Sequence, residues 1–257
     1  MATRPALPPG EAPLNAATVD RLLANLGADM VLVGGQALAF WMSRFGVDAD
    51  GVAISNDGDA LGSVERATQL AESLQARLEL PARSSRTAIV AQLRLPGPGG
   101  DARNIDVLHQ LYTIAGPRKS AEFTRRVIAG SVEVEWRPGR LIRVMEPFDV
   151  LESRAQNAVG LLEDKGPHVV TQSRWAVLVA QEALLRLARD AASAQRLGAQ
   201  LQRVYTLARS QVGKRLLAER GVELLEAVDV EALRALAPTH SRQLDAIKRS
   251  AAQRRGP

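Results

Sequence analysis

The sequence predicts an α+β protein, with a mixed sheet flanked by helices through about residue 146 and a helical bundle after it. Three observations predict it. An apolar run at residues 30–33 opens into Gly34-Gly35 and then into a helical apolar face. Short strand-like runs recur from there to residue 144, and from Pro147 onward apolar residues return at helical spacing almost throughout. The expected division is a flexible lead over residues 1–14, an α/β domain over 15–146 and a helical domain over 147–257.

Residues 1–13 contain four prolines and no periodicity, which marks the lead. Val19, Leu22, Leu23 and Leu26 are spaced as one face of a helix over residues 16–26, with Asn15 as its N-cap. A strand follows at 30–33, then the glycine pair, then a helix whose apolar side carries Ala37, Leu38, Phe40 and Trp41. Residues 44–53, with Gly46, Asp48, Asp50 and Gly51, read as a loop. Ser63 is placed to cap a helix that carries Val64, Ala67, Leu70 and Leu74 and runs to about residue 77. Residues 87–95 alternate as a strand, 96–100 turn, and 104–108 return antiparallel. Residues 116–119 read as a loop, with short strands at 127–128, 131–136 and 141–144, the last two joined by a turn at 137–139. Beyond them helices are expected from Pro147 to about residue 165, and over 169–189, 192–208, 212–219 and 241–254.

Composition narrows the chemistry. The 257 residues are 46% hydrophobic and 24% charged, as in ordinary soluble domains, and are enough to bury a full core. The absence of cysteine removes disulfides and thiolate metal sites, and His109, His168 and His240 form no ligand-like pair. No apolar run reaches the roughly 20 residues that cross a bilayer, and the proline-rich start lacks the apolar stretch of a signal peptide, so the cytoplasm is the expected location and no membrane partner is expected. Net charge is +5, yet residues 1–146 balance at 16 basic and 16 acidic side chains, leaving 17 against 12 in the remainder. That basic surplus fits nucleic-acid contact; it fits an arginine- and alanine-rich composition equally well.

Residues 30–59 carry the chemistry. Glycines at a strand-to-helix turn let backbone approach a ligand closely, and the first N–H groups of the helix face outward with the positive end of its dipole, a combination suited to phosphate. Asp57 and Asp59, two apart, are expected on one side of a strand, where a divalent cation between them would relieve their repulsion. Asp106 is the single acid within the apolar run 104–108. Taken singly, each has a plainer reading: a tight turn, a solvated Asp-Gly-Asp loop, a charge at a sheet edge or turn.

In this order, Gly34-Gly35, Asp57-Gly58-Asp59 and Asp106 resemble the signature of the nucleotidyltransferase fold shared by DNA polymerase β, aminoglycoside nucleotidyltransferases and the AbiEii-type toxins. The stretch between glycines and acids is longer here than in the commonest form of that pattern. Pro147, Leu151, Arg154 and Lys165 resemble the helix that follows the catalytic sheet in AbiEii-like proteins; solvated helix charges are the other reading of the two cations. The resemblance implies a Mg²⁺-dependent transfer of a nucleoside monophosphate from an NTP to a hydroxyl acceptor. Asp57, Asp59 and Asp106 would be the metal and catalytic carboxylates, and Gly34, Gly35, Ser55, Arg154 and Lys165 the nucleotide contacts. It further implies tRNA or another RNA as acceptor and a cognate antitoxin protein as partner. The alternative is a nucleotide- or partner-binding protein on the same fold without catalysis.

Overall fold

The computed structural model describes residues 7, 9–48, 55–82, 84–160 and 168–254. It is α+β, with a seven-stranded mixed sheet and its helices first and a run of helices after. Helix α1 (Ala16–Asn25) starts at Asn15, whose side chain accepts from the Thr18 amide at 2.8 Å, as the sequence predicts. Strand β1 (Val31–Val33) is wholly buried and passes directly into helix α2 (Gly34–Phe45). Strand β2 (Gly58–Leu61) then pairs antiparallel with β1, and Ser63 caps helix α3 (Val64–Leu74).

The sheet is completed by strands β3 (Arg77–Glu79), β4 (Ile89–Pro96), β5 (Ala102–Leu108), β6 (Val132–Arg137) and β7 (Arg140–Val144), in the order β3-β4-β5-β2-β1-β7-β6. The hairpin β4–β5 is antiparallel, whereas β2 lies parallel to β5 and β1 parallel to β7. Residues 9–14, expected within a flexible lead, are held against this sheet. The Ala12 amide donates to the Ala102 carbonyl and the Leu14 amide to the Asn56 carbonyl, both at 2.8 Å, and Ala12 is buried.

Three local expectations are corrected. The helix from Val64 ends at Leu74, not near residue 77, because Gln75 takes a left-handed conformation at φ 53° and the chain turns into β3. The loop expected at 116–119 and the short strand expected at 127–128 are instead the start and a later turn of helix α4 (Pro117–Gly130). Its buried face consists of Ser120, Phe123, Thr124 and Val127, and two hydroxyls at core positions hide the apolar period. Those hydroxyls are used: the Thr124 side chain accepts from the Leu111 amide and that of Ser120 from the Thr113 amide, both at 2.9 Å. A short helix at residues 230–236 was also not expected.

Helices α5 (Pro147–Ala158), α6 (His168–Arg189), α7 (Ala194–Arg209), α8 (Gln211–Arg220), α9 (Val230–Leu236) and α10 (Ser241–Arg254) make up the second part. The long helix α6 packs against α2 and α5 as well as α7 and α9, so one apolar core runs from the sheet into the helices. The Trp41 indole on α2 donates to the Met145 carbonyl at 2.8 Å, pinning α2 to the junction between β7 and α5.

Much of the basic surplus here is spent internally. Arg220 and Arg215 of α8 donate to the Ala158 and Val159 carbonyls at the end of α5, at 3.1 and 2.8 Å. Arg254 reaches the Ala208 carbonyl near the end of α7 at 2.7 Å and Glu223 at 2.8 Å. Cations at helix C-termini satisfy orphan carbonyls and the negative end of the dipole together.

Asp149, in the first turn of α5 and 1% exposed, is bound by Arg126 of α4 and Arg203 of α7; Arg203 also reaches Glu146 at 2.5 Å. Truncating Asp149 leaves two guanidiniums without their buried acid. We expect Asp149→Ala to lower the unfolding free energy by about 3 kcal/mol in urea denaturation. Glu122→Ala, which removes only the exposed pairs to Arg118 and Lys119, is expected to leave the midpoint unchanged.

Candidate functional site

The register of β2 determines what the site contains. Asp59 lies opposite Val33 of β1 on one side and opposite Asp106 of β5 on the other, and Asp106 lies opposite Gln92 of β4. Paired positions on neighbouring strands share a face, so Gln92, Asp106 and Asp59 form a polar row across the sheet that ends where α2 begins. Gln92 uses it: its side-chain amide donates to Asp106 Oδ1 at 2.8 Å and fixes that carboxylate. The opposite face at this level is packed. A Cβ on Gly58 would come within 2.9 Å of Leu22 on α1 and 3.3 Å of Ile105, so no larger side chain fits between the two acids of the Asp-Gly-Asp run.

The turn into α2 closes on the same row. Gly34 has φ 67°, and a Cβ there would fall 2.0 Å from Asp59 Oδ2; one on Gly35 would fall 2.5 Å from the Ser55 side chain. Backbone thus touches the acid loop where side chains could not. Val33, the residue preceding α2, makes no side-chain cap hydrogen bond to the helix. Gln36, in the same turn, donates to the Asp57 carbonyl at 3.2 Å, and the Ser55 hydroxyl donates to that carbonyl at 3.1 Å.

Helices α5 and α6 supply the facing wall. Arg154 is 7% exposed, with Nη1 donating to Gln172 Oε1 at 3.1 Å and Nη2 to the Ser153 hydroxyl at 3.2 Å. Burial pushes its pKa below the ordinary arginine range while the nearby Asp59 charge opposes that shift, and a guanidinium remains protonated through both. Asn157 of α5, with His168, Val169 and Gln172 in the first turns of α6, continues the wall.

These elements enclose a cavity of about 650 Å³ lined by Gly34, Gly35, Ser55, Asp57, Asp59, Asp106 and Arg154 among others. Seven of the eight residues singled out in the sequence therefore lie on one cavity, and Lys165 falls outside the described residues. The expectation that Asp57 and Asp59 share a strand face needs correction. The strand begins at Gly58, and Asp57 sits in the bend before it, exposed at the cavity's edge. The cavity also holds Glu11 from the lead and, between Thr87 and Tyr112, a largely uncharged side.

No group of three or more His, Cys, Asp or Glu side chains that could hold a metal ion occurs among the described residues. What is present is a side-by-side pair, Asp59 and Asp106, a donor set of hard oxygens suited to Mg²⁺ only where further ligands come from outside the protein. Sequence reasoning missed Gln92, Ser153, Gln172 and Gln36. Glutamine and serine carry no signal of their own, and only the strand register or the helix packing links them to the acids.

No family model matches the chain, and no curated protein matches it. Among solved structures, the crystal structure of JHP933 from Helicobacter pylori aligns over 91% of this chain and 94% of that one, at 12% identity and a TM-score of 0.39. So loose a superposition has no bearing on activity.

The close approach at Gly34 is open to test. Gly34→Ala forces a side chain onto Asp59 and places it at positive φ, and we expect it to lower stability by more than about 1 kcal/mol in urea denaturation. Gly139→Ala has φ 73° but nothing within 4 Å of the added carbon, so the difference between the two variants measures the contact with Asp59 rather than backbone strain.

Proposed function

We propose that the protein is a nucleotidyltransferase, moving a nucleoside monophosphate from an NTP to a hydroxyl acceptor. The single observation that supports it most is the in-register pair Asp59 and Asp106 adjoining the Gly34 turn at the start of α2, within one cavity. Triphosphate and carboxylates need to meet for this chemistry, and here an anion-accepting helix start and two acids adjoin.

In this reading the N–H groups of the first turn of α2 receive phosphate oxygens that no side chain at 34 or 35 obstructs. Asp59 and Asp106 would hold Mg²⁺, which commonly binds through one or two carboxylates plus substrate phosphates, so a three-acid cage is not required. When bound, the cation neutralises the charge that accumulates on the reacting phosphate and the departing pyrophosphate. The acceptor oxygen bonds to the α-phosphorus as the bond to the bridging oxygen breaks and pyrophosphate leaves; the hydroxyl proton passes to Asp106, whose other oxygen Gln92 steadies. Asp57, at the mouth, meets whatever enters.

For the acceptor, the basic surplus of residues 147–257 is the argument for tRNA or another RNA, and an antitoxin partner belongs to the same proposal. The internal use of Arg203, Arg215, Arg220 and Arg254 reduces the charge left for such a surface. A second reading, nucleotide binding without turnover, is favoured by the buried Arg154 charge on the cavity that Asp59 lines.

The expected outcome with α-³²P-NTPs, Mg²⁺ and total RNA is labelled acceptor from the wild type. Asp59→Asn and Asp106→Asn each reduce labelling at least roughly a hundredfold, with circular dichroism unchanged. Labelling that persists in both variants rules out the assignment. Mg²⁺-linked NTP binding by calorimetry, with no acceptor labelled, selects the second reading.

A further inference from the structure

Arg154 is one of the candidate nucleotide contacts, yet its surroundings fit another task. The side chain is 7% exposed, and its two terminal nitrogens are held by neutral acceptors, Gln172 on α6 and Ser153 on its own helix. Its Nε is buried with no hydrogen-bond partner among the described residues. Asp59, a member of the carboxylate pair, lines the same cavity as Arg154. Gln172, which holds Nη1, lies 3.6 Å from where a Cβ on Gly35 would sit, next to the Gly34 turn that Asp59 approaches. Across that cavity the Asp59 charge acts on the guanidinium. A guanidinium does not neutralise by losing its proton, so at this depth it is a fixed positive charge.

We propose that Arg154 is the resident counter-charge of Asp59, and that it makes capture of a divalent cation by the cavity depend on the anion arriving with it. The proposal rests on the reading of Asp59 and Asp106 as the cation site. Two adjacent carboxylates repel, and a divalent cation gains affinity by relieving that repulsion. Arg154 already supplies part of the relief, and it repels an incoming cation as well. A bare divalent ion therefore gains little by entering. An ion that comes as its triphosphate complex brings negative charge that offsets Arg154, and the balance shifts toward binding. Arg154 is in this sense a positioning residue acting through Asp59.

The test titrates Mn²⁺ alone into the 257-residue protein at low ionic strength and follows free Mn²⁺ by electron paramagnetic resonance. Arg154→Met is expected to bind Mn²⁺ at least roughly tenfold more tightly than the wild type. Arg154→Lys, which restores the charge, is expected to return affinity to near the wild-type value, and Asp59→Asn added to Arg154→Met to abolish the gain. With a non-hydrolysable α,β-methylene triphosphate present, the difference between wild type and Arg154→Met is expected to shrink.

A purely structural arginine would not yield tighter cation binding on removal. Equal or weaker Mn²⁺ binding by a folded Arg154→Met overturns the counter-charge role while leaving the carboxylate pair as the cation site. Absence of Mn²⁺ binding in wild type and variant alike overturns both. Should Arg154→Met fail to fold by circular dichroism, Arg154→Gln, which keeps an amide donor for Gln172 and Ser153, is judged by the same criteria.

Discussion

The constraint on which the rest depends is the threading of β2 between β1 and β5. Because β2 runs antiparallel to one neighbour and parallel to the other, Asp59 faces Val33 and Asp106 at the same level of the sheet. A slip of one residue would turn Asp59 to the face packed by Leu22 and place Gly58 on the open side. The register is held from that packed face, where Gly58 leaves no space for a side chain, and from the turn into α2, where Asp59 nearly touches the backbone of Gly34. Packing on one side of the sheet thereby fixes charge on the other.

The helices after residue 146 extend this arrangement. Helix α5 carries Arg154 to the sheet, and α5 is itself fastened at both ends: Asp149 is gripped by Arg126 and Arg203 near its start, and its final carbonyls are taken by Arg215 and Arg220. A high arginine content thus has a mechanical explanation within the fold. Forked donors reach carbonyls and carboxylates that lysine, with a single ammonium, would satisfy less fully. Charge that composition alone leaves ambiguous between a nucleic-acid surface and internal ties is, at these positions, committed to ties.

How far the sequence was legible follows from the same physics. Elements with one apolar stripe and a clear cap, such as α1 from Asn15 and α3 from Ser63, could be placed because their burial is carried by side chains that announce it. Helix α4 could not, since Ser120 and Thr124 occupy inward positions and answer backbone amides of the preceding loop; strand β3 could not, since three residues show no alternation. At the site, charged residues and glycines were visible because their chemistry is unusual in a core. Their neutral supports were invisible: Gln92 becomes meaningful only when Asp106 stands opposite it, and Gln172 only when α6 is packed on α5.

The rims of the sheet bear on how the chain behaves in company. At one rim β3 is three residues long and carries Arg77 and Glu79; at the other, β6 presents Glu133, Glu135 and Arg137 to solvent, and Arg44 reaches across from α2 to the Glu135 carbonyl. Short, charged borders with an occupied carbonyl are poor templates for a foreign strand. Crowded copies of this molecule thus find little ladder to prolong, and self-association by strand addition, a common route to fibrils and swapped dimers, is discouraged at both margins.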